Sequence, residues 1–571
     1  MHIQLFKRSP CPMLANLDNP FYYLENFQAV LDWVGGRYAD LLADDEQEFI
    51  AQFGSLPQAS RALFVRMVMR KGCVFRASKL VYGEIGEMRA AMQALEDVGW
   101  VQADPVVDIA GLFDLLQKPE LALVLAMKPG EKKLPKAEQL SVFSLRHTGS
   151  QAFSAWCAGA EGTVSALDDV AYQVLNKDLC DRLRLLFFGN LYQDWSEFVL
   201  SDLGIFQYEK VEFSAASRGF GKRADIDAYL ALHACREAFH AEQPVPEVLA
   251  QLAATGLHAL DNAWLASRRN RLLYQIGEYV EKQKDWALAQ QVYAGCTYPG
   301  ARLRAIRVLE KSEQTQAAYD LLTLAQQAPE SEAEHQQMLR IAPRLSRKLG
   351  LAKVTKAART SPTELTLRLP FPQEDYVVEY VVRDHLHSDD APVFYVENAL
   401  INSLFGLLCW PVIFKAIPGA FFHPFQREPV DLLSADFQTR RADDFAACFA
   451  QLESGAYHQT IRQTYAAKSG LQSPFVFWST LPEDLLDMAL ACIPPHHLKH
   501  SFERILLDIR ANRNGFPDLI QFWPQEQRYQ MIEVKGPGDK LQDNQKRWLD
   551  FCARHDMPVA VCYLEWQEVG Q

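Results

Sequence analysis

The chain has 571 residues and a net charge of −13. At roughly 150 residues per domain, this length predicts three or four packed units rather than one hydrophobic core. Apolar residues make up 49% and charged residues 23%, which excludes extended disorder and a membrane-embedded body. The eleven cysteines include no CxxC pair, so we expect reduced, mostly buried thiols rather than a disulfide frame or a zinc site.

No segment has the pattern of a membrane span or a secretory signal. Lys7 and Arg8 precede any apolar run, and the apolar stretch from Leu404 to Phe414 stops at Lys415, short of the ~18 residues that a span needs. The sequence therefore predicts a cytoplasmic protein with no membrane partner.

Residues 1–106 are predicted to form a helical region that binds DNA. From Asn19 to about Ala103, apolar residues recur every three or four positions, and Asp44 or Asp45 is expected to cap the second helix. Between Phe49 and Gly83 the chain has no acidic residue. A basic stripe in this interval either forms a solvated helix face or holds the phosphate backbone of nucleic acid. Its members are Arg61, Arg66, Arg70, Lys71, Arg76 and Lys79.

Residues 107–150 are predicted to form two short helices joined by a lysine-rich turn. The layout resembles a SAP motif, a small helix-extended-helix module that binds DNA. An ordinary helical hairpin with a solvated loop remains the alternative. The lysines that would contact phosphates are Lys128, Lys132, Lys133 and Lys136.

Residues 151–255 are predicted to form a helical connecting region that contains one glycine-rich loop. Gly219 and Gly221 lie between Arg218 and the pair Lys222 and Arg223, a composition that can cradle phosphate through backbone amides. Because no strand-to-helix frame surrounds the loop, a plain surface turn is the favoured interpretation.

Residues 256–350 contain two helix-turn-helix units offset by about 30 residues, which is typical of tetratricopeptide-like (TPR-like) repeats. Gly277, Ala287 and Ala289 are predicted to lie where antiparallel helices approach closely. Such repeats bind a protein partner or act as a rigid spacer.

Residues 360–571 carry the chemistry. Asp518 to Trp523 and Tyr529 to Val534 are predicted to form a β-hairpin through a turn at Pro524 to Gln527. Strand alternation places Glu533 and Lys535 on one side, where Asp518 of the neighbouring strand meets them. Two carboxylates beside an ammonium form a hard oxygen site for Mg²⁺ or Mn²⁺, with Lys535 able to orient or deprotonate a water molecule. This arrangement predicts phosphodiester hydrolysis.

Pro517-Asp518, fourteen intervening residues and Glu533-Val534-Lys535 resemble the PD-(D/E)xK nuclease signature. The GPGDKL that follows and the helix containing Gln545 and Trp548 are similar to the VRR-NUC domain. Upstream, VENA at residues 396–399 followed by LINSLFGLLCW resembles the helix that supplies the first acidic ligand in the Fanconi-associated nuclease family, and LFVRMVMRKG resembles that family's N-terminal region. The chain therefore resembles a bacterial member of this family.

The resemblance implies a multidomain, mostly α protein: a helical and SAP-like DNA-binding part, TPR-like repeats and a C-terminal α/β nuclease core of the restriction-endonuclease type. It implies that Glu397, Asp518, Glu533 and the Val534 carbonyl hold the metal and that Lys535 is catalytic. Gln545 is expected to support the site and Trp548 to lie in the core. The family commonly has glycine after its first acid, where this chain has Asn398.

The implied activity is a 5′ flap endonuclease and 5′ to 3′ exonuclease that acts on branched DNA in interstrand crosslink repair, near the bacterial nucleoid. Two alternatives stay open: a junction resolvase or restriction-type nuclease with the same core, and a noncatalytic repair scaffold. The cluster His496, His497 and His500 lacks the separated ligand pairs of a zinc site, so we expect surface or DNA-facing histidines.

Overall fold

The computed structural model describes residues 19–158, 167–193, 195, 206–256, 262–351, 363–372 and 376–567. The predictions for the extreme N-terminus and for the edge of the repeat region near residues 352–362 lie outside these residues. The chain divides into two compact units. The first comprises Met1–Phe206, Phe220–Ile226 and Phe422–Phe425; the second comprises Gln207–Gly219, Asp227–Phe421 and Gln426–Gln571.

The described helices of the first unit are mostly short. They are α1 (Tyr22–Tyr38), α2 (Asp44–Ser55), α3 (Gln58–Val68), α4 (Met88–Asp97), α5 (Ile109–Leu115), α6 (Lys118–Val124), α7 (Pro129–Lys133), α8 (Lys136–Ser144), α9 (Phe153–Cys157) and α10 (Lys177–Phe188). Aromatic side chains pack α2 and α3 together, with the rings of Phe49 and Phe64 5.8 Å apart. The predicted helical character of this region is confirmed for α1 to α4.

The first unit also contains short strands that the helical pattern did not predict. They are β1 (Val74–Arg76), β2 (Val101–Ala103), β3 (Val106–Val107), β4 (Gln151–Ala152) and β5 (Ala171–Val174). β1, β5 and β2 form an antiparallel sheet in that order, and β3 pairs with β4. Segments of two to four residues are too short to show a period-two pattern, and β5 lies far along the chain from both of its partners.

Two local predictions in this unit are corrected. Ala43 precedes α2 at the capping position, and the Glu46 carboxylate accepts the Ala43 N–H at 2.9 Å, so Asp44 and Asp45 lie inside the first turn instead of capping it. The SAP-like segment has four short helices rather than two. The first ends at Leu115, and the next begins at Lys118 with Pro119 in its first turn, as expected for a proline start.

The second unit contains most of α11 (Arg223–His240) and all later elements. Its other helices up to the end of the repeats are α12 (Val245–Ala254), α13 (Ala263–Lys282), α14 (Trp286–Ala294), α15 (Ala301–Lys311), α16 (Thr315–Gln327) and α17 (Glu332–Lys348). From α13 to α17 each helix packs against the next one. A Cβ on Gly277 would lie 2.6 Å from the Tyr293 ring, which confirms the predicted close approach, and Ala289 is fully buried. Ala287 is exposed, so its predicted place in a helix contact is wrong.

The remaining helices surround the C-terminal sheet. They are α18 (Val378–Leu386), α19 (Leu400–Leu408), α20 (Trp410–Ile413), α21 (Ala442–Ser454), α22 (Tyr457–Lys468), α23 (Glu483–Cys492), α24 (Pro495–Leu507), α25 (Ile509–Asn512) and α26 (Asp543–Arg554). Short 3-10 helices occur at Ala77–Lys79, Ala215–Ser217, Thr439–Arg441, Trp478–Thr480 and Pro524–Glu526. Within the described ranges, no helix is both long and apolar enough to cross a membrane.

The C-terminal sheet has five strands: β6 (Thr363–Leu369), β7 (Val393–Tyr395), β8 (Leu519–Trp523), β9 (Arg528–Lys535) and β10 (Val559–Trp566). Their order is β6-β10-β9-β8-β7. β6, β10 and β9 run parallel, whereas β8 is antiparallel to both of its neighbours. The predicted hairpin is confirmed, with its turn at Pro524 to Gln527.

Apolar layers cover both faces of this sheet. Ile520, Phe522 and Met531 belong to the large core formed with α19 and the helices that follow it. On the opposite face, Ile532 and Val534 pack into a smaller cluster with Val382 of α18. Burial on both faces fixes the strand register, because a slip of one residue would exchange the two sets of side chains.

Candidate active site

The two acids of the predicted hairpin lie opposite each other on adjacent strands. Leu519 of β8 pairs with Ile532 of β9. One further step in this antiparallel register brings Asp518 opposite Glu533, where directly opposed Cβ atoms lie ~5 Å apart. Alternation puts both acids on the face that carries Ile520 and Met531, so the hairpin itself brings the two carboxylates together.

Hydrogen bonds hold these acids and Lys535. Asp518 Oδ2 accepts the Val534 N–H at 2.8 Å, and Lys535 Nζ donates to Glu533 Oε1 at 2.6 Å. Glu533 is fully buried, Asp518 is 6% exposed and Lys535 is 8% exposed. Within the described chain, Glu533 Oε2 is buried with no hydrogen-bond partner. A buried carboxylate oxygen without a donor is costly and indicates that a further positive group belongs there.

Burial dominates the electrostatics of this site. It raises the pKa of Glu533 above the usual range of a glutamic acid, and the neighbouring charge of Asp518 raises it further. Burial also raises the pKa of Asp518, against the lowering effects of the Val534 N–H and the Lys535 ammonium. Asp518 and Glu533 are therefore two buried acids with one ammonium group, that of Lys535, beside them. A divalent cation would balance the charge of the two carboxylates.

The backbone N–H and C=O groups of Val534 point towards Asp518. In a strand, the N–H and C=O of one residue point towards the same neighbouring strand. Because the Val534 N–H binds Asp518, its carbonyl oxygen also lies on the Asp518 side. This orientation is compatible with the ligand role that the family resemblance implies for the Val534 carbonyl.

Glu397 lies beside the acids but not among them. It precedes α19 by three residues rather than lying within a helix, which corrects the expectation of a helical acid. Its side chain is exposed, and it accepts a hydrogen bond from the Tyr395 hydroxyl at 2.5 Å and one from Asn398 Nδ2 at 3.2 Å. In the part of the chain that the structure describes, no three His, Cys, Asp or Glu side chains form a ready metal-binding group.

Helix α26 packs Trp548 into the core, as predicted. Trp548 is 1% exposed, its ring lies 3.8 Å from that of Phe516, and its indole N–H donates to the Asn512 carbonyl at 3.1 Å. Gln545 Oε1 accepts the Gln542 N–H at 2.7 Å in a capping box, so Gln545 caps α26. Its expected support of the site stays a prediction.

Two side chains near the acids carried no sequence signal. Tyr395 stands at the end of β7 and donates its hydroxyl hydrogen bond to Glu397; burial, and then the Glu397 carboxylate, raise the pKa of the Tyr395 hydroxyl. Glu379, in the first turn of α18, lies close enough for its charge to raise the pKa of Asp518. Neither belongs to a spaced motif, so only the packing of α18 and β7 reveals them.

The basic stripe is only partly a free surface. Arg76 is 4% exposed and forms ion pairs with Glu120 and Asp169 at 2.7 and 2.8 Å, which removes it from a DNA-facing surface. Arg66 pairs with Glu84 at 2.7 Å and lies over the Tyr23 ring. The acids that neutralise the stripe lie outside it: Glu84 follows the acid-free interval directly, whereas Glu120 and Asp169 come from later segments. Exposed members remain at Arg70, Lys71 and Lys79, whereas Arg61 is half-buried.

The four lysines of the SAP-like segment that were predicted to contact phosphates are all exposed: Lys128, Lys132, Lys133 and Lys136. Lys136 differs from the others because its Nζ donates to the Leu116 carbonyl at 3.0 Å.

In the glycine-rich loop, the Gly221 N–H donates to Asp225 at 3.3 Å, and Arg223 forms an ion pair with the buried Glu46 at 2.6 Å. The Asp225 carboxylate therefore accepts the hydrogen bond of the Gly221 amide, which agrees with the favoured interpretation of a plain surface turn.

The histidine cluster is not a uniform surface. His497 is 7% exposed, and its Nδ1 lies 3.0 Å from the Tyr529 hydroxyl, so the expectation of a surface or DNA-facing residue is wrong at this position. His496 is exposed. His497 is a structural residue because it joins α24 to strand β9.

Three family models match the chain. The FAN1 HTH domain matches residues 21–102, the Fanconi anemia-associated nuclease SAP domain matches residues 106–156, and the VRR-NUC domain matches residues 452–566. The chain is 53% identical over 567 residues to the Fanconi-associated nuclease 1 homolog of Pseudomonas aeruginosa, covering 99% of both chains. The chain belongs to the Fanconi-associated nuclease 1 family. It is a DNA nuclease of the PD-(D/E)xK type, which uses a divalent metal.

More distant relatives and solved structures agree with this assignment. The Fanconi-associated nuclease 1 homolog of Arabidopsis thaliana is 24% identical over 95% of this chain and 66% of its own length, and the Homo sapiens protein is 23% identical over 95% and 62%. A crystal structure of paFAN1 bound to 2-nucleotide 5′ flap DNA with a gap matches with a TM-score of 0.88, covering 97% of this chain and 100% of that chain. A second, with a 1-nucleotide flap, gives 0.85, covering 96% and 100%.

The buried His497 predicts a pH dependence of stability. Burial, then the neighbouring His496 and His500, lowers its pKa to about 4, against 6.5 for a free histidine. As pH falls from 6.5 towards 4, the unfolded state binds the proton first, so the stability that is present above pH 6.5 is lost at up to ~1.4 kcal/mol per pH unit. In His497→Gln the melting temperature should fall less between pH 7 and pH 5 than in the wild type. His335→Gln, at an exposed position on α17, should retain the wild-type slope. Equal slopes in all three proteins would contradict the assignment.

Proposed function

We propose that this nuclease cuts branched double-stranded DNA as a 5′ flap endonuclease and a 5′ to 3′ exonuclease in interstrand crosslink repair. The observation that carries the proposal is the pair of buried acids, Asp518 and Glu533, beside Lys535 on one sheet face. The 53% identity over nearly the whole length to a family member, and the fold shared with paFAN1 in its complexes with 5′ flap DNA, support this substrate class.

The proposed cofactor is Mg²⁺ or Mn²⁺. Glu397, Asp518, Glu533 and the Val534 carbonyl would hold the ion, and all of these donors are the hard oxygen atoms that such cations prefer. The orphaned Glu533 Oε2 and the raised pKa values of both buried acids support the fit. When bound, the cation supplies positive charge for the phosphoryl oxygens and lowers the pKa of a water molecule.

Side chains of the protein position the reacting groups. Glu533 keeps the Lys535 ammonium 2.6 Å from its own carboxylate, so the lysine is already aimed at the site. From there Lys535 can donate a hydrogen bond to a water molecule or to a phosphate oxygen and so orient the attack in line with the scissile bond. The apolar layers around β8 and β9 exclude bulk water, which strengthens each of these interactions.

Replacement of Asp518 tests the site. Asp518→Asn keeps the shape of the side chain but removes a charged ligand, so kcat/KM for DNA cleavage in Mg²⁺ or Mn²⁺ should fall by at least about a hundredfold. Binding of the same DNA in EDTA should persist, because the DNA-binding surface is unchanged. Asp550→Asn, a matched change on α26, should cleave normally. Wild-type cleavage by Asp518→Asn would reject the proposed site.

Substrate choice tests the proposed function against its alternatives. We expect labelled 5′ flap DNA to be cut faster than nicked duplex or four-way junctions of equal length. Preferred cutting of four-way junctions by a dimer would favour a junction resolvase instead. If DNA bound but no substrate were cut in either metal ion, the scaffold alternative would be favoured.

We further propose that the exposed basic residues of the N-terminal region hold duplex backbone. Arg70, Lys71 and Lys79 are the exposed members of the stripe, and Lys132 and Lys133 are exposed in the SAP-like segment. Contacts of this kind add affinity without sequence readout. The paired Arg66 and the buried Arg76 would instead stabilise the fold around this surface.

A salt titration tests the basic surface. The double variant Lys71→Ala and Lys79→Ala removes two phosphate contacts, so DNA affinity should fall and the slope of log affinity against log salt should decrease by about 2. Lys282→Ala with Lys284→Ala removes the same charge from exposed positions of the repeats and should leave both quantities unchanged. Identical slopes in the two double variants would exclude this surface.

The repeats are proposed to act first as a rigid spacer. Arg340 of α17 forms a two-pronged ion pair with Asp543 at the start of α26, and Arg504 of α24 pairs with Glu332 at 2.5 Å. These contacts attach α17, the last repeat helix, to helices α24 and α26 of the nuclease core. A protein partner on the repeats, and a cytoplasmic location for the chain, stay predictions.

A further inference from the structure

A short segment, residues 396–399, joins β7 to α19 and carries Glu397. The Val396 N–H donates to the Asp518 carbonyl at 2.8 Å, so this segment extends the pairing of β7 with β8. Glu397 follows directly and Asn398 comes next. The position of Glu397 relative to Asp518 therefore depends on the path of the chain at residue 398.

Asn398 has a left-handed backbone, with φ of 53°. Glycine adopts this conformation most readily, and asparagine is among the few other residues that tolerate it. The family commonly has glycine directly after its first acid, whereas this chain has Asn398 there. Both residues satisfy the same requirement for a left-handed backbone at this position. Glycine would offer no side chain there, so the asparagine amide adds interactions of its own.

The amide of Asn398 binds both sides of the site. Its Oδ1 accepts the Gly515 N–H at 2.7 Å and the Phe516 N–H at 3.1 Å, in the loop that leads into Asp518. Two backbone donors at one atom assign it as the oxygen, so the other end of the amide is a donor. That donor, Nδ2, points to Glu397 Oε1 at 3.2 Å.

The backbone of the same residue is also fixed. Asn402 Nδ2 donates to the Asn398 carbonyl at 2.7 Å and to the Arg513 carbonyl at 2.8 Å. Asn402 is 2% exposed, so these bonds form away from water. Side chain and main chain of Asn398 thus tie the Glu397 segment to residues 513–516 at three points.

We propose that Asn398 is a positioning residue of the nuclease site: through its bonds to Gly515, Phe516 and Glu397 it ties the Glu397 segment to the loop that leads into Asp518, so that Glu397 and Asp518 can bind one divalent cation. The role rests on the proposed function, because it presumes that both acids bind the same ion. Outer groups that orient metal ligands typically contribute 10- to 100-fold to metal affinity.

The test is Asn398→Gly, which keeps the left-handed backbone and removes the three side-chain hydrogen bonds. Mn²⁺ binding to the full chain without DNA, measured by calorimetry, should weaken by about tenfold. Hydrogen exchange of the peptide containing Gly515 and Phe516 should become faster, because both amides lose their acceptor. In cleavage assays, the Mn²⁺ concentration for half-maximal rate should rise while the rate at saturating Mn²⁺ stays near that of the wild type.

Gln527→Gly is the matched control. Gln527 also has a left-handed backbone, with φ of 49°, but lies in the hairpin turn at the opposite end of β9 from Lys535. This variant should bind Mn²⁺ with wild-type affinity and show wild-type exchange at Gly515 and Phe516. A change of affinity shared by both variants would overturn the positioning role of Asn398.

The remaining outcomes also decide the question. Wild-type Mn²⁺ affinity in Asn398→Gly overturns the proposal, and so does a variant that loses DNA binding in EDTA or loses maximal rate at saturating Mn²⁺, since either identifies a merely structural residue. Failure of the proposed function is seen separately: in that case Asp518→Asn retains Mn²⁺ binding and cleavage, whatever Asn398→Gly does.

Discussion

Two buried carboxylates that share one ammonium are the constraint on which the rest of this nuclease depends. Asp518 and Glu533 lie on a sheet face that is otherwise apolar, and Lys535 supplies a single positive charge. Removing an ion from water costs several kcal/mol, and one lysine does not offset two acids. The apolar core must therefore hold the acids in place against their mutual repulsion, and a divalent cation is the group that makes the arrangement favourable.

The hairpin can hold the acids in this arrangement because apolar packing on each of its two faces fixes the strand register. Met531 packs on the face of the acids, while Ile532 and Val534 pack on the other face against α18. A slip of one residue would bury Glu533 in the apolar cluster around Val382, so the hydrophobic pattern and the position of the acids support each other. The same register brings the Val534 N–H to Asp518, which fixes the carboxylate without using a further side chain.

The sequence predicted those parts of the molecule that depend on near neighbours. The hairpin, the shared face of Glu533 and Lys535 and the buried Trp548 follow from alternation and helical spacing over a few tens of residues. The partners of Arg76 did not follow, since Glu120 and Asp169 approach from distant segments and turn an apparent surface charge into a buried ion pair. The path of Glu397 was missed for the same reason: its loop is shaped by hydrogen bonds to residues more than a hundred positions later.

Contacts continue from the repeats to the acids within the second unit. Arg340 binds Asp543, the first residue of α26. Five residues further along that helix, Trp548 packs on Phe516, whose amide N–H donates to Asn398 beside Glu397. Each step is a buried ring contact or a hydrogen bond with defined direction, so the repeats and the nuclease core restrain each other. DNA that reaches the site would consequently meet acids whose positions are already set, which is the condition for in-line attack at one phosphate.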